Sequence, residues 1–235
     1  MRHARIERWS HGSSVLHRRH ALAKILVGLV LLVSIASLNT SAAPPLVLYA
    51  GLLLAGALAA RLPLMRFLFG VAVVLPFALT FAVIIALAGD PARALAVTVR
   101  ACLSALTALL LVATTPVPDL LAGFERLGAP AFLLQVTQFL HRYLIVLIEE
   151  TNAMRVAALS RAGTVGAHDF RLAAAAAGVL FSRSYARAQA IHRAMLARGF
   201  EGQLPRLRSG DFHLSDAGFL AGTVILVVAI RAAFR

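Results

Sequence analysis

The sequence predicts an all-α, polytopic helical membrane protein with a cytoplasmic module of two long helices. Three observations predict it. Of 235 residues, 60% are hydrophobic and 14% are charged, against about a quarter charged in an ordinary soluble domain. Charge is absent from 36 consecutive residues between Lys24 and Arg61 and from 23 more at 67–89, and about 20 apolar helical residues cross a hydrocarbon core of about 30 Å. Residues 115–216 are different, holding 11 Arg and 8 of the 10 acidic residues in long stretches without Pro or Gly clusters, as helices in contact with water do.

The elements follow in order. Residues 1–24 carry Arg2, Arg5, Arg8, Arg18, Arg19 and Lys24 against Glu7, which holds this end in the cytoplasm by the positive-inside rule. Residues 25–115 make four membrane helices. The first, about 25–38, reaches an uncharged turn at 39–45 that the Pro44-Pro45 pair marks, and the second returns from Leu46 to Arg61. No cleavable signal is expected, because the apolar run exceeds the 7–15 residues such a segment has. The third, about 67–88, is kinked at Pro76 and ends in the Gly89-Asp90-Pro91 turn. The fourth, about 94–114, contains Arg100, a charge that must snorkel or face protein. No carboxylate accompanies it within the spans.

Residues 116–216 form the cytoplasmic module. One helix is expected at 131–160, opened by Pro130 and stopped near Gly163, and another at 170–198, with Asp169 as N-cap and Gly199 just past the end. Each is about 45 Å long at 1.5 Å per residue. Residues 132–148 are apolar on nearly every face and 149–161 are mixed, so the first helix passes from a buried environment into water. In the second, Arg183, Arg187 and Arg198 mark a basic face, while Val179, Leu180, Met195 and Leu196 supply apolar contacts to the first. The run at 217–230 is short for a last span, so Arg231 and residues 214–216 belong at the interfaces. If that run spans, residues 217–235 carry the C-terminus outside.

Little in the chain suits catalysis. The formal net charge is +13, but the basic residues flank apolar runs without the interleaved aromatics of a nucleic-acid platform. No Gly-rich loop ending in Lys and Ser or Thr is present, so any ATP dependence comes from a partner. Cys102 is the only cysteine and reads as a packing residue. His17 and His20 flank Arg18 and Arg19, whose charge opposes a divalent cation. His141, His168, His192 and His213 are scattered and read as polar interface groups. Glu149 and Glu150 read as Arg partners, with Arg142 and Arg155 in reach. The sharper feature is the pair of helix ends, Ser160-Arg161-Ala162-Gly163 and Ala197-Arg198-Gly199. Small residues beside a five-donor guanidinium suit docking to a carboxylate; the same Arg could instead serve its own helix dipole. Spacing leaves both readings open.

Residues Ala194-Met-Leu-Ala-Arg-Gly-Phe-Glu-Gly202 resemble the second Ala-Arg-Gly motif of the transmembrane (T) component of energy-coupling factor transporters, in its cobalt-type, CbiQ-like branch. Ile6-Glu-Arg-Trp9 with Leu16-His17 and Lys24, Thr114-Thr-Pro-Val-Pro-Asp-Leu-Leu121, Arg126-Leu-Gly-Ala-Pro130, Arg142-Tyr-Leu-Ile-Val-Leu-Ile-Glu-Glu150 and Phe181-Ser-Arg-Ser-Tyr-Ala-Arg-Ala188 extend the resemblance over nearly the whole chain. The first motif departs from the family pattern, reading Ser-Arg-Ala-Gly, and His20-Ala-Leu-Ala-Lys24 stands where Pro-Arg-x-Lys is common.

The resemblance implies a non-catalytic subunit of a bacterial inner-membrane importer, with its N-terminus cytoplasmic. Its partners would be two ABC-type ATPase subunits and a substrate-binding membrane (S) subunit, and the long helices would be the coupling module. Ala197, Arg198, Gly199, Arg161 and Gly163 would meet the ATPases, supported by Glu201, Arg193, Arg187 and Arg155, with Arg161 the weaker contributor. No cofactor or metal is expected in this chain, ATP and Mg belonging to the partners. Cobalt or nickel is the expected cargo, with a vitamin as alternative. The rival from another class is a stand-alone secondary carrier or channel, which needs polar groups along a path at mid-membrane.

Overall fold

The computed structural model describes residues 14, 16–17, 19–38, 43–61, 64–162, 169–202 and 213–234. All regular structure among them is α-helical, and the protein is an all-α polytopic membrane protein. The chain divides into two compact units, Met1–Leu127 with Arg208–Arg235, and Gly128–Leu207.

In the first unit, α1 (Ala21–Ala36) opens at His20, whose ring Nδ1 accepts the Leu22 N–H at 3.1 Å. Helix α2 (Ala43–Ala59) holds Pro44 and Pro45 in its first turn. The pair therefore starts a helix rather than marking the turn before it, because the first turn needs no N–H from Pro. The third expected span is two helices, α3 (Leu64–Val71) and α4 (Leu75–Leu87), with Pro76 at the start of the second. Pro76 has no N–H for the carbonyl four residues back and its ring crowds that position, so the helix breaks instead of kinking.

Helix α5 (Pro91–Thr114) is capped by Asp90, whose Oδ1 accepts the Arg93 N–H at 3.0 Å, and α6 (Val117–Arg126) follows after two residues. The last helix of this unit, α9 (Leu214–Ala233), has 20 residues. Residues 214–216 fold into it at one end and Arg231 at the other, so it is long enough to cross a bilayer.

Leu31, Ile35, Tyr49, Leu53, Leu103 and Val227 belong to one buried cluster drawn from α1, α2, α5 and α9. Cys102 is partly buried and packs against it. Phe77, Phe81, Ile84 and Leu87 of α4 are exposed, an apolar surface that suits lipid rather than water. Arg100 Nε and Nη2 are buried without a hydrogen-bond partner among the described residues. Among these residues, Pro91–Thr114, Ala131–Arg161 and Leu214–Ala233 are long and apolar enough to cross a membrane. Ala21–Ala36, Pro44–Ala59 and Leu75–Leu87 are shorter apolar helices.

The second unit holds α7 (Ala131–Ala162), of 32 residues, and α8 (Asp169–Ala197), of 29. The Pro130 carbonyl accepts the first free N–H groups of α7, from Leu133 at 3.0 Å and Leu134 at 3.3 Å. The apolar side chains Phe132 and Leu140 of α7 are exposed. By length and composition this helix meets the same criterion as the spans, although its charge pattern predicts a cytoplasmic helix.

Candidate functional site

The end of α8 is built by its backbone. Gly199 has a φ of +80°, a left-handed conformation that costs glycine little and other residues more. With it, the Gly199 N–H donates to the Leu196 carbonyl at 3.0 Å and the Phe200 N–H to the Met195 carbonyl at 3.0 Å. These are the paired bonds of a Schellman motif, which satisfies carbonyls that a helix end leaves open. Arg198 is thereby the C-cap residue, and it is exposed together with Ala197, Gly199, Glu201 and Gly202. A guanidinium at a helix C-terminus also sits favourably at the negative end of the helix dipole. Docking and dipole complementarity are compatible, because the dipole stabilises the charge without consuming its donors.

Arg161 lies in the last turn of α7 and is exposed. Gly163 and His168 fall outside the described residues, as do Ile6, Glu7, Trp9 and Arg18. Among the described residues neither Arg161 nor Arg198 makes an ion pair.

The two helices are joined side by side near Glu150. Its Oε1 is 3.2 Å from Arg183 Nη1 and its Oε2 is 3.5 Å from Arg187 Nη2. The expected partners Arg142 and Arg155 share the helix of Glu150, but the structure uses α8 instead, whose Arg183 and Arg187 are four residues apart and so on one face. Arg187, expected at an interface with another protein, is therefore engaged within the unit. With the Arg side chains 60% and 44% exposed, each pair contributes at most about 1 kcal/mol.

Phe139, Tyr143 and Leu147 of α7 face Ser184, Ala188, Ile191 and Met195 of α8 across an apolar cavity of about 290 Å³. Moving back along α7 from Glu150 thus corresponds to moving forward along α8, so the helices are antiparallel. Val179 and Leu196, expected as packing residues, are exposed, because the contacting face of α8 runs through positions 184, 188, 191 and 195.

This register separates the two cationic ends. Arg161 lies about 16 Å along α7 beyond the Glu150 contact, and Arg198 about 20 Å along α8 on the opposite side. Arg193 is exposed, with its Nε donating to the Gln189 carbonyl at 3.4 Å, and Arg155 is exposed on α7. The arrangement offers two separated guanidinium groups, each suited to a carboxylate on another protein.

No group of three His, Cys, Asp or Glu side chains among the described residues is arranged to hold a metal ion. The His20 ring caps α1, and His17 Nδ1 lies 2.7 Å from Ser14 Oγ. Arg183 and Glu150 were legible only as a basic face and an acidic pair. Their pairing depends on which helix packs beside which, and the spacing along either helix does not encode that.

The sequence profile of the CbiQ family, described as cobalt transport protein, matches residues 12–208. The chain is 33% identical over 115 residues to the Cobalt transport protein CbiQ of Rhodobacter capsulatus, a stretch covering 48% of this chain and 47% of that relative. It is 34% identical over 113 residues to the Nickel permease LarQ of Lactiplantibacillus plantarum, covering 48% of this chain and 41% of that one. The aligned stretch therefore spans less than half the length of each of these relatives.

Proposed function

The chain belongs to the CbiQ family of cobalt transport proteins, and from that premise we propose that it is the transmembrane (T) component of an energy-coupling factor importer. In this reading it is a non-catalytic scaffold of the bacterial inner membrane with its N-terminus in the cytoplasm. Two ABC-type ATPase subunits, which carry ATP and Mg, receive the ends of α7 and α8. Their closure moves the helices, and the spans pass the motion to a substrate-binding membrane subunit. Cobalt or nickel is the cargo. The names of the two relatives, one a cobalt transport protein and the other a nickel permease, support that choice.

The observation that carries the reading is Arg198. It is exposed on a helix end whose Met195 and Leu196 carbonyls are satisfied by backbone N–H groups of the Gly199 turn rather than by its guanidinium, so its donors remain for a partner. A carboxylate buried against it in a dry groove contributes mainly through the cost of leaving either charge unpaired, about 2–5 kcal/mol. In the same reading α7 and α8 lie on the cytoplasmic side of the bilayer, the apolar surface of α7 being covered by partner subunits.

Purification of the chain with its co-expressed chromosomal neighbours tests the proposal. Recovery of a complex holding two ATPase subunits per chain is the expected result. Full cation uptake by the chain alone in lipid vesicles would instead make it a stand-alone carrier.

A further inference from the structure

The end of α5 and the loop before α1 meet at one buried side chain of α1. Lys24 is 6% exposed, and its Nζ donates to the Thr114 carbonyl at 2.9 Å and to the His17 carbonyl at 3.1 Å. Thr114 is the last residue of α5, so its carbonyl is one of those a helix end leaves without an intrahelical partner. The ammonium also stands at the negative end of that helix dipole. Burial disfavours its charge, and the attraction of Asp119 of α6 and Asp216 of α9 offsets only part of that cost.

The adjoining backbone is equally constrained. Thr115, 2% exposed and extended at φ −136° and ψ 118°, turns the chain from α5 towards α6. Helix α6 then lies against the start of α1 at Gly123. A Cβ there would stand 2.6 Å from Ile25 Cδ1 and 3.4 Å from the Leu22 backbone nitrogen, so any side chain at this position must displace the tip of Ile25. Leu121 and Ala122 are buried beside it. Helix α6 ends at Arg126, and the second unit begins at Gly128. Of the two chain connections between the units, at Leu127–Gly128 and at Leu207–Arg208, the first leads directly into this clamped segment.

We propose that Lys24 is a positioning residue that fixes the end of α5, which two residues separate from α6, to the loop before α1, making a rigid joint on one of the two chain connections through which movement of the second unit reaches the membrane helices. The proposal rests on the coupling reading above for its transport consequence, while the joint itself is a property of the first unit. An ammonium donates to several acceptors at once, which lets one side chain hold the end of α5 and the loop before α1 together. Without it, the buried Thr114 carbonyl and the part-buried His17 carbonyl lose this donor, and leaving a buried acceptor open costs more than the net value of the bond.

The test compares Lys24→Met, which keeps most of the apolar stem, with Lys24→Arg, which keeps the charge. In the purified full-length chain, amide hydrogen exchange across residues 118–126 is expected to quicken at least about tenfold in Lys24→Met and to stay near wild type in Lys24→Arg. In the assembled complex in vesicles, Lys24→Met is expected to retain its ATPase subunits and ATP hydrolysis while cation taken up per ATP falls by about tenfold, with Lys24→Arg restoring most of it. Unchanged exchange, or an unchanged ratio of uptake to hydrolysis, overturns the proposal.

If Lys24→Met does not accumulate in membranes, Gly123→Ala replaces it in both measurements: faster exchange with a lower uptake ratio supports the joint, and no change in either one overturns it. A wild-type chain that binds no ATPase defeats the coupling reading alone, and the exchange measurement then decides the joint.

Discussion

The Asp216 carboxylate accepts the backbone N–H of His20 through Oδ1 at 3.3 Å, linking residues 196 apart in the chain. Its Oδ2 accepts the His213 N–H at 3.2 Å. One carboxylate thus serves the N-cap residues of both α1 and α9. Arg19 Nη1 stands 3.7 Å from Oδ1, and the same guanidinium lies over the Phe219 ring at 5.8 Å. At the far end, Arg231 Nη1 donates to Ser37 Oγ just past the end of α1. Helix α9 is therefore fastened to α1 at both ends and runs its full length.

Asp216→Ala is expected to destabilise the first unit by about 2 kcal/mol or more, because it leaves two N–H groups and Arg19 without their acceptor at a site 3% exposed. Asp90→Ala, at an exposed cap, is expected to cost only about 1 kcal/mol. Thermal unfolding of both variants in detergent measures the difference, and equal midpoints would contradict the shared-cap account.

The two ends of α9 lie at opposite ends of α1, so the C-terminus should emerge on the side of the membrane away from residue 20. In a Cys102→Ser background, single cysteines at Phe234 and Thr151 are expected to react with a membrane-impermeant thiol reagent from opposite faces. Phe234→Cys should label from outside in intact cells, and Thr151→Cys only in inside-out vesicles. A Thr151→Cys that labels from neither face would place α7 within lipid.

The Schellman turn makes a further distinction among glycines. Gly199→Ala forces a side chain into φ +80° and is expected to cost about 1–2 kcal/mol locally, fraying the end that presents Arg198. Gly178→Ala, inside α8 with open space around it, is expected to be neutral or to stabilise by up to about 1 kcal/mol. Circular dichroism melts of the two variants, beside ATPase retention in pull-downs, separate them. Loss of retention in Gly178→Ala alone would contradict the role of the turn.

Features that depend on nearby residues were legible in the sequence. Gly199 after an apolar-periodic stretch announces a helix end, and Gly89-Asp90-Pro91 announces a turn, although the cap that Asp90 makes there starts α5 at Pro91 rather than near residue 94. Pro76 announced an interruption but not its severity, since the cost of a missing N–H depends on what else can satisfy the freed carbonyl. Lys24 read as a basic flank and as part of the family resemblance but not as a clamp, because the carbonyl it holds is 90 residues away in the chain. Asp216 was similarly obscure: it marks the start of α9 locally, yet half its function lies in the N–H of His20. Glu150 read as an acidic pair with Glu149, and the choice of Arg183 and Arg187 came from helix packing.

The central claim is that the end of α8 docks on an ATP-driven partner through Arg198. The most direct measurement is the amount of ATPase subunit retained when the full chain and its Arg198→Glu variant are purified from membranes containing the neighbouring subunits. The account expects two ATPase subunits per wild-type chain and at least about a tenfold loss in Arg198→Glu, with equal membrane levels of the two chains, since a lost interfacial charge pair is worth several kcal/mol. Equal retention by both chains would contradict it.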